Sequence, residues 1–378
     1  MKQKESGICL LYNFAQHYRL GVFKRMEEIL NCDFYFGNYS NDIKRIDYNE
    51  LKNFKAELKN IRLIRPFYFQ KGIYKIFNKY DKFIVLGEYY CLSTWILALY
   101  CRLTDKKIYF WTHGWYGNEG LAKRIIKKWF FNISNGVFLY GGYAKSLMVK
   151  QGFDESKLHV IYNSLDYDSQ LRIRYNLKSV DLYKNHFGNS HKVLIFIGRL
   201  TKVKKLDQLL RAVLHAQYQY GRYYNIVFVG TGQEQENLKS ITKMLKLEDR
   251  VWFYGETYDE HEISQLIYEA DICVSPGNVG LTAMHSLVYG TPVLTHSDFK
   301  TQMPEFEAII KGETGDFFEK NNIVDLASKI LSWTKNNHNK SIVMDNCFRV
   351  IDSYYNPNYQ VKKIKSILLN EAVSEKNI

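Results

Sequence analysis

Val193-Leu-Ile-Phe-Ile-Gly-Arg-Leu-Thr-Lys-Val-Lys-Lys-Leu206 is an unbroken apolar run that ends in glycine and opens into a basic loop. Five consecutive buried-type residues suit a strand covered on both faces, as in a parallel sheet, and the helical periodicity of Lys205–Gln219 follows directly. Outward from this unit the same alternation repeats. Strands are expected at Asn225–Val229, Val251–Tyr254, Ile272–Ser275 and Pro292–Thr295, with a helix at Gln233–Leu245.

The first half carries a parallel series. Strands are predicted at Ile8–Tyr12, Phe83–Leu86, Lys107–Trp111, Gly136–Leu139 and Leu158–Ile161, and helices at Leu20–Leu30 and Leu121–Phe131. Around Asp166–Ser190 a Tyr-, Lys-, Asn- and Asp-rich stretch of lower order separates the halves. The expected organisation is an N-terminal domain over 1–168 and a C-terminal domain over 190–356, with a last helix at about 357–378 that can pack back on the first domain. Both are α/β, doubly wound and Rossmann-like, facing a central cleft where the carboxyl ends of strands hold ligand.

The chain has 378 residues and 46% hydrophobic content, enough to give each of two domains a core and to exclude a disordered polypeptide. Lys and Arg exceed Asp and Glu by 52 to 39, giving +13, which favours anionic partners. Cys9, Cys32, Cys91, Cys101, Cys273 and Cys347 lack C-x-x-C spacing and sit mostly in apolar runs, so reduced thiols and a cytoplasmic setting are expected. The run Ile8–Tyr12 is too short for a signal segment, and no apolar stretch reaches the ~18 residues of a membrane span. The cations are dispersed and no nucleic-acid reader motif occurs, so nucleic acid is not an expected partner.

Three corners carry candidate chemistry. After the first quoted strand, Gly198 is followed by Arg199 and Lys204, a planar fork and a mobile point charge that together can neutralise a diphosphate. The second corner, Val227-Phe-Val-Gly-Thr-Gly-Gln-Glu234, places Gly230 and Gly232 after a strand, where backbone can approach a ligand. The third, Asp271-Ile-Cys-Val-Ser-Pro-Gly-Asn-Val-Gly-Leu-Thr-Ala-Met-His-Ser-Leu-Val-Tyr-Gly-Thr-Pro-Val293, runs strand, glycine loop, short helix and strand. There the free amides from about Val279 to Thr282 are expected to meet an anion at the positive end of the helix dipole.

These motifs resemble the retaining family-4 glycosyltransferases of the GT-B fold. The resemblance rests on Gly198-Arg-Leu with Lys204, Val229-Gly-Thr-Gly, Gly280-Leu through Gly290-Thr-Pro-Val, Pro304-Glu, Gly312-Glu-Thr-Gly and, upstream, Lys157-Leu-His-Val-Ile-Tyr-Asn-Ser-Leu-Asp166. It implies that Arg199 and Lys204 hold the donor diphosphate, aided by backbone at Gly280 and Leu281. Donor contacts are also expected from Asn278, Val279 and Thr282. In Gln302-Met-Pro-Glu-Phe-Glu307 two acids can approach the cleft or cap the following helix, Glu305 matching the family position better, and the resemblance implies a donor-sugar contact from His113, in Tyr109-Phe-Trp-Thr-His-Gly-Trp-Tyr-Gly117. Candidate catalytic residues are therefore Arg199, Lys204 and His113. One departure stands out: the family frames this loop with two glutamates, whereas here the loop Pro276–Gly280 holds no acid and His285 takes the second position, beside the nucleotide ribose.

On the acceptor side, Asn13-Phe-Ala-Gln-His-Tyr-Arg-Leu-Gly21 offers His17, Tyr18 and Arg19 to an acceptor or a phosphate. The helix Leu121–Phe131 bears Lys123, Arg124, Lys127 and Lys128 beside apolar neighbours. That composition suits either peripheral contact with an anionic bilayer at the inner face of the plasma membrane or an ordinary core helix with a basic solvent face.

The expected activity is transfer of a hexose-class sugar from a UDP or GDP donor to a hydroxyl of a glycan or lipid-linked glycan. Retention is implied by the resemblance, and no metal or other cofactor is expected because neither predicted cleft face carries a D-x-D pair or His/Asp cluster that demands one. Abundant Lys, Asn, Ile and Tyr point to an AT-rich bacterial source and so to capsule, lipopolysaccharide or exopolysaccharide synthesis. Two rival readings remain open at this point: a nucleotide-sugar epimerase or phosphorylase of the same fold, and a non-catalytic binder of polyanions or membranes.

Overall fold

The structure, a computed structural model, describes residues 7–38, 44–335 and 339–370. It divides into one unit made of 1–166 with 356–378 and a second made of 167–355. The first unit contains strands β1 (Ile8–Tyr12), β2 (Asp33–Gly37), β3 (Phe54–Arg62), β4 (Tyr68–Lys71), β5 (Lys82–Leu86), β6 (Lys107–Thr112), β7 (Gly136–Leu139) and β8 (Leu158–Val160). Its helices are α1 (Leu20–Leu30), α2 (Leu92–Leu103), α3 (Leu121–Asn132) and α4 (Gly142–Lys150).

The sheet order is β4-β3-β2-β1-β5-β6-β7-β8. All ladders are parallel except the β3–β4 hairpin. Every residue of β1 is buried, because apolar layers cover the sheet on both sides. One layer joins alternate β1 residues Leu10 and Tyr12 to Val22, Phe23 and Met26 of α1. The other joins Cys9 and Leu11 to residues of α2 and α3. Strands β2, β3 and β4 were not foreseen from sequence. β3 is half exposed, and its Phe-Lys-Ala-Glu-Leu-Lys-Asn-Ile-Arg pattern lacks the solid apolar run of a central strand.

The second unit contains α5 (Tyr167–Arg174), α6 (Leu182–Phe187), β9 (Lys192–Ile197), α7 (Asp207–Tyr220), β10 (Tyr224–Val229), α8 (Gln235–Met244), β11 (Val251–Gly255) and α9 (Glu260–Glu269). It continues with β12 (Ile272–Ser275), α10 (Leu281–Val288), β13 (Val293–His296), β14 (Gly315–Phe318), α11 (Ile323–Thr334) and α12 (Lys340–Tyr354). Its sheet is wholly parallel in the order β11-β10-β9-β12-β13-β14. The stretch Asp166–Ser190, read from composition as one of lower order, instead contains the two helices α5 and α6. Tyr183 is buried and donates to the Leu266 carbonyl at 2.5 Å, while the Glu269 carboxylate receives the amides of Val180 and Leu182 at 2.8 Å each, so tertiary contacts supply the order that composition lacks.

The chain then returns to the first unit through α13 (Pro357–Leu369), which packs on α1. Asn356 caps it by accepting from the Tyr359 amide, and Pro357 occupies its first turn, where the missing N–H is not needed. Residues 371–378 of the expected last helix lie outside the described residues.

In each sheet the strand order reverses once: between β1 and β5 in the first, between β9 and β12 in the second. Loops leaving the carboxyl ends of such neighbours diverge to opposite faces and leave a crevice. The residues following β9 and β12 are the first and third corners of the sequence.

Candidate donor site

At the reversal in the second sheet, the loop after β9 and the loop after β12 are clasped together. The Gly277 amide donates to the Lys204 carbonyl at 2.8 Å, and the Lys204 ammonium donates to the Asn278 carbonyl at 2.7 Å. Gly277 is required here, since a Cβ would stand 1.9 Å from the Val203 carbonyl oxygen. Thr282, in the first turn of α10, donates its hydroxyl to the Ile197 carbonyl at 2.9 Å and so fixes the helix start over the end of β9.

Lys204 is half-buried, and burial together with the nearby Arg199 pulls its ammonium down to about 8, against the opposing pull of Glu305. Arg199 is exposed and carries no ion pair among the described residues. Glu305 is buried at the third side of this corner. The N-cap of α10 is Gly280, which offers no side-chain cap, and the first-turn amides of Leu281 and Thr282 have no intrahelical acceptor by helix geometry. Two cations and the open start of a helix thus share one corner, an arrangement suited to a multiply charged anion.

Some expectations need correction. The Val279 amide is not free, because it donates to Gln302 Oε1 at 2.8 Å, and Gln302 is held in turn by its own bonds to Thr295 and the His296 carbonyl. The amides left for an anion begin after it. Gly230 and Gly232 serve backbone packing: a Cβ at either would come within 2.2 or 2.3 Å of the Gly198 or Leu200 carbonyl oxygen, where the two loops hydrogen-bond. Asn278 contributes its carbonyl to Lys204, while its side-chain Oδ1 is shut from solvent with no donor among the described residues.

His285 lies on α10, and its Nε2 is 2.9 Å from Glu260 Oε1, at the start of α9. The same oxygen receives the Tyr289 hydroxyl at 2.6 Å and the Gln170 amide at 2.9 Å. Burial alone would raise the Glu260 carboxyl, but His285 and the hydrogen bonds from His285, Tyr289 and Gln170 outweigh it and hold the group at about 2. Sequence reading missed both Glu260 and Gln302. Glu260 sits in Asp259-Glu-His-Glu262, where acids after an N-cap aspartate look like ordinary partners of the helix dipole.

In the first unit, His113 follows β6 and lies tilted against Tyr140 with ring centroids 4.8 Å apart. Burial, with Arg19 and Lys127 nearby, pulls its imidazole down to about 4, so it is neutral at physiological pH. Arg19 is buried, donates to the Tyr140 hydroxyl, and lies 5.4, 5.4 and 5.3 Å from the ring centroids of Tyr12, Trp111 and Tyr140. Its Nε and Nη1 have no acceptor among the described residues. The trio His17, Tyr18 and Arg19 does not act as one face: Arg19 turns inward, whereas His17 is exposed and tied to the Lys44 carbonyl.

Helix α3 is also turned differently from expectation. Lys127 is buried, donating to Glu119 Oε1 at 2.8 Å and to the Gly114 carbonyl at 2.6 Å, so it leaves the basic face. Leu121, Ile125 and Trp129 point outward instead, Trp129 being 73% exposed. α2, on the same side of the sheet, exposes Ile96, Leu99 and Leu103. Among the described residues no helix is long and apolar enough to cross a membrane, and no three His, Cys, Asp or Glu side chains gather as metal ligands.

Residues 181–347 match the family model of glycosyl transferases group 1. That span runs from α6 into α12 and includes all three corners. An uncharacterized glycosyltransferase of Haemophilus influenzae is 28% identical over 184 residues, 47% of this chain and 49% of that protein. An uncharacterized 41.2 kDa protein in the cps region of Klebsiella pneumoniae is 23% identical over 259 residues, 67% of this chain and 63% of that protein. The aligned stretch is thus less than two thirds of either relative's length. The solved structure of Anabaena Alr3699/HepE in complex with UDP superposes with a TM-score of 0.74, covering 96% of this chain and all of that one at 14% identity, a likeness of fold.

Proposed function

We propose that this chain is a glycosyltransferase that moves a sugar from a nucleoside diphosphate donor to a hydroxyl of a glycan or lipid-linked glycan in bacterial surface polysaccharide synthesis. The observation that carries the reading is the corner built by Lys204, Arg199 and the start of α10, at the strand reversal of the very unit that matches the glycosyl transferases group 1 model. The UDP held by the Anabaena protein and the cps region of the Klebsiella protein support a nucleotide donor and a polysaccharide setting.

Breaking the anomeric bond leaves negative charge on the β-phosphate while the sugar gains oxocarbenium character. Groups fixed at that phosphate therefore stabilise the transition state more than the bound donor. Lys204 already has one proton engaged with Asn278, which orients its other two, and Arg199 is free to close over the phosphate from solvent. These cations supply the charge that a metal would otherwise bring. The family resemblance assigns His113, which is neutral, the role of orienting the donor sugar, and the same resemblance implies retention.

Glu260 explains how His285 can stand where a glutamate is expected. In its neutral form the imidazole, facing a carboxylate at 2.9 Å, carries its proton on Nε2 and keeps Nδ1 as a lone-pair acceptor for a ribose hydroxyl, the task a glutamate would perform. The outward apolar rows of α2 and α3, edged by Lys123 and Lys128, suit peripheral contact with an anionic bilayer, where a lipid-linked acceptor resides.

A thermal-shift screen of UDP-, GDP- and ADP-sugars tests the reading, because a true donor raises the melting temperature by mass action. One nucleotide series is expected to do so, with sugar transferred only when an acceptor is added. Conversion of the donor alone would favour an epimerase, and no shift with any nucleotide would contradict the proposal.

A further inference from the structure

The first sheet has its own reversal point, between β1 and β5, and the carboxyl ends of those strands open onto a cavity of about 760 Å³. Asn13 follows β1 and Glu88 follows β5; the β3–β4 hairpin adds Asn60 and Tyr68. Glu88 accepts from the Tyr68 hydroxyl at 2.7 Å and, weakly, from Asn13 Nδ2 at 3.4 Å to each oxygen. The Tyr90 hydroxyl lies close enough to the same carboxylate to favour its charged form.

Asn60 donates to the Asn13 carbonyl at 2.8 Å, which pins the hairpin to the end of β1. The side-chain oxygens of Asn13 and Asn60 nevertheless have no donor among the described residues. Buried acceptors without partners are expensive, and ones lining a cavity point to donors brought by a ligand. The Tyr68 and Tyr90 rings, 6.1 Å apart, give the cavity an aromatic wall, and Arg62 and Arg65 stand exposed at its mouth.

We propose that this cavity binds a sugar ring bearing an acidic group. The ring hydroxyls donate to Asn13, Asn60 and Glu88, the ring's apolar face lies on the tyrosines, and the acidic group meets the two arginines at the rim. Burial raises the Glu88 carboxyl despite its tyrosine donors, so the group gains from further hydrogen bonds to its charged form. The proposal rests on the glycosyltransferase reading only in naming this sugar as part of the acceptor; the cavity is built from the first unit alone and the donor corner from the second alone.

Saturation-transfer NMR of the full chain with the methyl glycosides of glucuronic acid, glucose and N-acetylglucosamine tests it. Transfer to the glucuronide is expected, lost in Glu88→Gln. Arg62→Ala combined with Arg65→Ala should weaken the glucuronide about tenfold while leaving the neutral glycosides unaffected. No transfer to any glycoside, or transfer that survives Glu88→Gln, would overturn the site; equal binding of acidic and neutral rings would overturn its charge preference. UDP affinity, titrated on the same samples, keeps the two readings apart. It is expected to be unchanged in Glu88→Gln, and absent UDP binding in the native chain would strike the donor corner and leave the sugar cavity standing.

Discussion

The Lys204 ammonium donates to the Asn278 carbonyl oxygen at 2.7 Å, joining the loop after β9 to the loop before α10. A cation so placed is both a clasp and a charge, and its proton affinity makes it measurable. Free Lys204 titrates at about 8, whereas a bound diphosphate stabilises its charged form. UDP affinity should therefore be level from pH 7 to 8 and then fall about tenfold per pH unit, since the nucleotide's phosphates are fully ionised there. Lys204→Arg, which stays charged, should flatten the profile. Calorimetric titration from pH 7 to 9.5 checks this, and a pH-independent constant in the native chain would contradict it.

The same group makes a prediction for the unliganded protein. Its folded pKa lies below the ordinary lysine value of 10.5, so between about 8 and 10.5 the unfolded chain binds the extra proton and stability rises with pH. On the acid side the imidazoles dominate. His113, His159 and His296 are each pulled down to about 4, chiefly by burial. Between pH 6.5 and 4 the unfolded chain binds protons that the folded chain refuses, and stability falls as pH is lowered. Denaturant midpoints from pH 7 to 4 should show this loss, with a shallower slope in His296→Gln.

Glu260 and His285 yield a separable pair of effects. Glu260→Gln keeps acceptors for Tyr289 and Gln170 but no longer fixes the imidazole proton, so nucleotide affinity should drop several-fold with a stability loss of about 1–2 kcal/mol. His285→Glu should retain or improve UDP binding only if Glu260 is also neutralised, because two carboxylates would otherwise face each other. Equal UDP affinity in the native chain, Glu260→Gln and His285→Ala would remove this pair from the nucleotide site.

Much of this was readable in the sequence, for physical reasons. β9 and β12 are solid apolar runs because both faces of the sheet are covered, and the glycines mark where neighbouring backbones meet. What could not be read was partnership across sequence distance. Glu260 is 25 residues from His285 and Gln302 is 23 from Val279, and neither spacing carries a periodic signal. Helix α3 shows a different limit. Its amphipathic pattern gave the helix correctly, but only the buried Lys127–Glu119 pair reveals that a lysine faces inward and a tryptophan outward.

That outward face predicts lipid affinity. Co-sedimentation with phosphatidylglycerol-rich vesicles should capture the protein, and pure phosphatidylcholine should not, since Lys123 and Lys128 flank the apolar row. Replacing Leu121, Ile125 and Trp129 together by Ser should reduce capture at least tenfold without lowering the melting temperature, because all three side chains are exposed in the folded chain. Unchanged capture would assign the face another role.

UDP titration in EDTA, comparing the native chain with Arg199→Ala and Lys204→Met, probes the diphosphate corner most directly. Arg199 is exposed and unpaired among the described residues, so its removal should not disturb the fold. The native chain is predicted to bind with chelator present, and each variant to lose about 100-fold, near 2.7 kcal/mol. Binding that vanishes in EDTA, or that survives within threefold in both variants, would contradict the account.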